Sequence, residues 1–153
     1  MLIQIFNHKD LKIMLQIFII NAIINCYVIR VADDNLYIST FYDQFPRISS
    51  PEFAVNFTFA GTNIIDGGMA LVKDDTLAVT LNENNQYLGF KRFNSKEVPS
   101  NQIFFIVIDP GTGFYRIRHG NKCIEWFEGS GYLKATDCLP TATQLFRVVD
   151  IGE

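Results

Sequence analysis

From Asn35 onward the apolar residues come in short alternating or continuous runs, each bounded by turn formers. The runs are Asn35–Ser39, Phe53–Phe59, Met69–Val72, Thr76–Leu81, Gln86–Phe90, Ile103–Ile108, Phe114–Arg118, Lys122–Trp126, Gly131–Ala135 and Leu145–Val149. Between them lie Asp66-Gly67-Gly68, Asp74-Asp75, Asn82-Glu83-Asn84-Asn85, Asp109-Pro110-Gly111, His119-Gly120-Asn121 and Gly129-Ser130-Gly131. Gly, Asn and Asp tolerate the left-handed backbone that tight turns need, and Pro pre-sets a turn's first dihedral, so these clusters punctuate strands. No stretch beyond residue 30 keeps a helical period. The pattern therefore predicts an all-β domain built as a sandwich or barrel.

Self-comparison narrows the choice. Gln102-Ile103-Phe104-Phe105-Ile106-Val107 matches Gln144-Leu145-Phe146-Arg147-Val148-Val149 at an offset of 42 positions. Tyr87-Leu88 matches Tyr132-Leu133 at 45, and Leu36-Tyr37-Ile38 matches Leu77-Ala78-Val79 at 41, with Cys123-Ile124-Glu125 as the third counterpart. Three units of about 42 residues, each of about four strands, fill the chain beyond the amino-terminal segment. In the first unit Val55-Asn56-Phe57 is only a loose echo of the Gln-x-Phe ending. Phe104 and Phe146 are expected in matching interior positions, with Ile106 and Val148 two residues on and facing the same way.

The amino terminus reads differently. Ile13 to Ile29 carries no charge and is mostly apolar, behind Lys9, Asp10 and Lys12. Residues 1–26 resemble a secretory signal, with Met14 an alternative start; an uncleaved anchor and a buried strand or helix are the other readings. The remaining residues 27–153 form one expected domain. The whole chain of 153 residues has 13 Lys+Arg against 16 Asp+Glu, for a net charge of −3, and shows no basic face for nucleic acid. A membrane contact is expected only if the first segment stays attached. Two histidines are too few for a histidine-rich metal site, and no cofactor motif is present.

Cys123 and Cys138 remain once residues 1–26 are set aside. A pair is what one disulfide requires in a secreted domain, whereas in the cytosol both would be reduced, buried residues.

In its final third the chain resembles the ricin B-type β-trefoil lectins, through Lys122-Cys123-Ile124-Glu125-Trp126, Cys138 and Gln144-Leu145-Phe146. Its low Trp and high Asn, Ile and Phe content is also similar to that of small secreted lectin-like trefoils of microsporidia. The resemblance implies a β-trefoil, a short disulfide from Cys123 to Cys138, and Phe104 and Phe146 standing where the family carries a Trp. It also implies a sugar site made in each active repeat by an Asp, an aromatic ring and an Asn-Gln pair. Carried onto the last repeat these become Glu125, Thr136, Thr143 and Gln144; in the middle repeat they become Ala78, Lys91, Asn101 and Gln102.

Neither set is intact, so each residue carries two readings. Gln102 and Gln144 either tie a loop to the barrel or touch sugar. Trp126 is either packing or a stacking platform, since strand alternation sets it on the face opposite Glu125. Tyr132 or Phe127 offers a substitute ring. Asp137 is either a sugar contact or an exposed acid. His119 is expected in an exposed turn, and the acceptor pattern Asn56-Phe57-Thr58 falls inside a strand-like run, awkward for glycosylation. The resemblance implies a secreted, non-enzymatic module binding cell-surface or wall glycans; the alternative is a trefoil that has lost sugar binding and serves protein interaction or structure.

Overall fold

The computed structural model describes residues 26–40, 45–61 and 67–151; residues 1–25, which hold most of the signal-like segment, lie outside them. Twelve strands follow one another: β1 (Tyr27–Val31), β2 (Tyr37–Ser39), β3 (Arg47–Ser49), β4 (Phe57–Gly61), β5 (Met69–Lys73), β6 (Leu77–Leu81), β7 (Leu88–Arg92), β8 (Phe105–Ile108), β9 (Tyr115–His119), β10 (Lys122–Trp126), β11 (Leu133–Asp137) and β12 (Phe146–Asp150). A single 3-10 turn precedes the last strand of each unit, at Pro51–Phe53, Ser100–Gln102 and Ala142–Gln144.

Six strands close a barrel. β1 pairs with β4, β4 with β5, β8 with β9, β9 with β12, and β12 with β1, all antiparallel. The remaining seam, β5 to β8, is closed by the Met69–Phe104 bridge, whose two backbone bonds are 2.9 and 2.8 Å. The other six strands form three hairpins, β2–β3, β6–β7 and β10–β11, that cover one end. This is a β-trefoil. Closure leaves the barrel strands without free edges.

The register exposes the threefold repeat. Phe57 opposes Tyr27, Phe104 opposes Met69, and Phe146 opposes Tyr115. All three phenylalanines are fully buried. Phe57 is thus the third member of the set formed by Phe104 and Phe146, although it lies 47 residues before Phe104. Ile106 packs against the core as expected. Val148, paired with Ile29 of β1, does not join that packed set and is half-buried.

Several local expectations are corrected. The run Phe53–Phe59 is not one strand: Pro51 opens a 3-10 turn and β4 begins only at Phe57. Asn56 is consequently exposed, just ahead of that strand. β1 and β3 were absent from the sequence-read runs. The first continues the apolar amino-terminal segment without a break, and the second is three residues long and carries Arg47. His119 is not an exposed turn residue. It ends β9 half-buried, with Nδ1 3.1 Å from the Ile103 carbonyl and its ring against Phe104.

The covering hairpins also bond to each other. Ile48 N donates to Gly131 O at 2.7 Å, and Ala135 N donates to Gln86 O at 2.8 Å. Gly131 has φ +75°, and a Cβ there would lie 3.0 Å from the Ile48 carbonyl oxygen, so this junction requires glycine.

Truncating Phe57, Phe104 or Phe146 to alanine removes a ring from equivalent enclosed sites. Each variant is expected to lose about 3–5 kcal/mol in chemical denaturation. A markedly smaller loss for Phe57 than for the other two would contradict the threefold equivalence.

Candidate functional site

The polar residues singled out in the last repeat meet where β10, β11 and the third 3-10 turn come together. Glu125 lies in β10, on the face opposite its neighbour Trp126, as alternation requires. Its Oε1 accepts from Thr143 Oγ1 at 2.9 Å and from Thr141 Oγ1 at 3.3 Å, and its Oε2 accepts from Thr136 Oγ1 at 3.2 Å. A half-buried carboxylate is therefore ringed by three hydroxyls, from β11 and the turn.

Gln144 stands behind this nook. It is 0% exposed, and all its hydrogen-bonding capacity is used. Nε2 donates to Asp137 O at 2.8 Å and to Thr136 Oγ1 at 3.1 Å, while Oε1 accepts from Leu139 N and from Arg116 Nη1, each at 2.9 Å. It ties β11 and the segment beyond it to the barrel strand β9. The side chain does this from a 3-10 turn rather than from a strand face. A half-turn there directs it back across the hairpin.

Gln102 makes the matching tie in the middle repeat. Nε2 donates to Arg92 O and to Thr80 Oγ1, both at 3.1 Å. Arg92 and Asp137 occupy the same register position in their hairpins. Ala70 stands where the last repeat has Arg116, so Gln102 Oε1 has no partner among the described residues. The first repeat has no glutamine in this turn. Its turn ends at Phe53, and main-chain contacts replace the tie: Val55 N donates to Ile38 O at 3.0 Å, and Ser39 bridges Ala54.

The same register revises the sequence alignment of the repeats. Glu125 opposes Lys134, Thr80 opposes Gly89, and Ser39 opposes Arg47, so the residue matching Glu125 in the middle repeat is Thr80, not Ala78. The two hairpin loops are equally long, but the middle repeat is three residues longer between β7 and its 3-10 turn, which hides this in the sequence. Asn101 donates to Leu81 O at 3.4 Å and sits with Gln102 apart from the Glu125 nook.

Two further candidates do not join the nook. Trp126 is 8% exposed and belongs to the barrel core, so the packing reading holds and its ring is not an open platform. Asp137 is 81% exposed in its side chain, and its carboxylate accepts from Lys122 Nζ at 2.5 Å. Only its backbone carbonyl takes part, through Gln144. Cys123 and Cys138 are joined by a disulfide with Cα atoms 4.9 Å apart, pinning the ends of β10 and β11. Sequence reasoning missed Thr141 and Arg116. The first lies in a turn with no repeat signature, and the second reads as an ordinary strand cation until β9 packs beside the turn.

Electrostatics stiffen the frame. Asp109 is held below the ordinary carboxylate value, first by the Thr112 hydroxyl at 2.7 Å and then by Arg116, whose Nε is 3.1 Å away. Asp137 is lowered likewise by its bond to Lys122. Both pKa values fall on folding, so this stabilisation is present above the ordinary value of 3.8 and disappears as pH drops through the lower folded values.

Three outcomes follow. Gln144→Ala strands Leu139 N and one Arg116 donor and is expected to cost about 2–3 kcal/mol in urea titration. Reducing the disulfide reopens a short loop and is expected to cost about 3 kcal/mol. Thermal midpoints measured by circular dichroism are expected to hold level at neutral pH and fall below about pH 4, with Asp109→Asn flattening that acid limb.

No family model and no curated protein sequence matches the chain. Solved structures do. A GlcNAcα1-4Gal-releasing endo-β-galactosidase from Clostridium perfringens superposes with TM-score 0.68 at 14% identity, over 83% of this chain and 32% of that one. The chain thus spans about a third of that enzyme's length. The designed threefold-symmetric protein ThreeFoil gives 0.62 at 15% identity, over 82% of this chain and 99% of its own. The BEL β-trefoil gives 0.61 at 12%, over 82% and 93%. At such identities the likeness establishes the architecture, and the chain is a β-trefoil.

Proposed function

We propose that this chain is a secreted, non-enzymatic carbohydrate-binding module of the ricin B type, with a saccharide hydroxyl pair taken up at Glu125. The observation that carries the reading is the ring of threonine hydroxyls around that carboxylate. All three hydroxyls lie within donating distance of Glu125. Thr136 Oγ1 also accepts from Gln144 Nε2, and Thr141 and Thr143 share one further bond, which leaves each oxygen a lone pair to accept from a sugar, while Oε2 keeps capacity for one more donor. Charge-assisted bonds of this kind orient a polyol in water better than neutral ones do.

The reading also draws on resemblance. The last repeat looks like the ricin B family at Cys123, Glu125, Cys138 and Gln144, and a protein sharing the architecture releases GlcNAcα1-4Gal from its substrate. Thr136 stands where that family carries a ring, so the site lacks a stacking face and is expected to be weak. Clustering of chains or of glycans would then supply avidity. Hydrolysis would need a second carboxylate across the scissile bond, and Asp137 is turned towards Lys122. The disulfide is in keeping with an oxidising, extracellular setting.

A second reading, a trefoil serving protein interaction, is favoured by the same network seen otherwise: Glu125 already accepts three bonds from its own chain. A glycan array bearing galactose, mannose and N-acetylhexosamine termini separates the two. The expected result is binding by the native chain that weakens roughly tenfold or more in Glu125→Gln, in line with loss of a charged hydrogen bond. Silence across the array, together with capture of a protein partner that free sugar does not reverse, would favour the second reading.

A further inference from the structure

The three covering hairpins present one aromatic ring each at the same register position. Leu88 and Leu133 oppose Leu81 and Trp126, and Pro46 occupies the corresponding place in β2–β3, so the preceding residues Phe45, Tyr87 and Tyr132 are threefold equivalents. The rings meet edge to face: Phe45 and Tyr132 have centroids 5.9 Å apart at 78°, and Tyr87 and Tyr132 6.3 Å apart at 78°. With Asn85 they line an open cavity of about 320 Å³ at the covered end of the barrel. That volume lies within the range of small-molecule sites, about 300–1,000 Å³.

The rings are held rather than loose. The Arg47 guanidinium stacks 4.4 Å from the centre of Tyr132 and donates to its hydroxyl. The Lys134 ammonium lies 5.2 Å from the centre of Tyr87. Arg47 and Lys134 are themselves equivalent positions, each clasping the ring of the neighbouring hairpin, and Gly89 occupies the third. Cation stacking immobilises these side chains before any ligand arrives, which lowers the entropy lost on binding. Phe45 and Tyr87 nevertheless remain 44% and 36% exposed, so part of each ring is open to a ligand.

From this convergence we infer that the end cavity is a saccharide-binding site in its own right, separate from Glu125 and sharing only its ligand class. A sugar ring has an apolar C–H face that seats on an aromatic surface, and hydroxyls around its edge. The cavity supplies both complements. Phe45, Tyr87 and Tyr132 give the surface. Asn85 uses Oδ1 to accept from Tyr87 N at 3.0 Å, which fixes the amide and leaves Nδ2 to donate at the rim. Cationic ligands are disfavoured because Arg47 and Lys134 already occupy ring faces. Bare apolar ligands would leave the Asn85 amide and the Tyr87 hydroxyl unmatched.

The test is a titration of the full isotope-labelled chain with methyl β-galactoside, methyl α-mannoside and methyl N-acetyl-β-glucosaminide, followed by NMR. Ring signals of Phe45, Tyr87 and Tyr132 report the end cavity, and methyl signals of Thr136, Thr141 and Thr143 report the Glu125 nook. At least one glycoside is expected to shift the ring signals. Tyr87→Ala should weaken that response about tenfold, and Tyr87→Phe, which keeps the ring and loses the hydroxyl, by less, while Glu125→Gln leaves it near the native value. Tyr87 is chosen because it is exposed; Lys134 is avoided because it lies opposite Glu125 in its hairpin. Shifts confined to the threonine methyls overturn this inference and leave the proposed function standing. Shifts confined to the rings uphold it and remove Glu125 as the site. No shifts at either place overturn both.

Discussion

Closure of the six-stranded barrel around Phe57, Phe104 and Phe146 is the constraint on which everything else in the molecule depends. Each ring sits at a point where the last strand of one unit meets the first strand of the same unit. Burying a large aromatic at all three points fixes the level at which the chain turns from barrel to hairpin. Hairpins alone are marginal in water. Here they are stable because they grow out of a closed ring and bond to one another over it, through Gly131, Ile48, Gln86 and Ala135.

The three units solve the same mechanical problem with different chemistry. The segment after each hairpin must be held against the barrel while its polar backbone stays satisfied. In the last unit Gln144 does this with all four of its bonds, in the middle unit Gln102 does it with two, and in the first unit the main chain does it unaided. The difference traces to neighbours. Arg116 reaches Gln144, but Ala70 cannot reach Gln102. Polarity thus accumulates in the last unit, where the disulfide also lies, and that is where Glu125 acquires its ring of hydroxyls.

The proposed function is then divided between two kinds of surface. Among the described residues, the nook at Glu125 is polar and lacks a ring, while the end cavity is rich in rings and has a single amide. Each supplies what the other lacks for a polyol ligand. The first is built within one repeat, and the second exists only because three repeats meet. A cavity at the centre of a repeated arrangement needs one modest contribution from each copy, so no single segment looks like a site.

The amino-acid order alone determined the strand-rich architecture, the threefold period, the equivalence of Phe104 with Phe146 and the placing of Trp126 opposite Glu125. These are legible because alternation and turn chemistry act over a few residues, and because aromatic spacing survives where identity does not. Tertiary structure decided the rest. Phe57 joined its partners despite an irregular spacing, since pairing with Tyr27 sets its position whatever the loop length. Thr80 replaced Ala78 as the counterpart of Glu125 because register across a hairpin, not distance along the chain, says which residues are equivalent. His119 entered the margin of the core because the Ile103 carbonyl and the Phe104 ring, 16 and 15 positions earlier in the chain, pack against it. The meeting of Phe45, Tyr87 and Tyr132 was invisible along the chain, because their proximity arises from closure and nothing local encodes it.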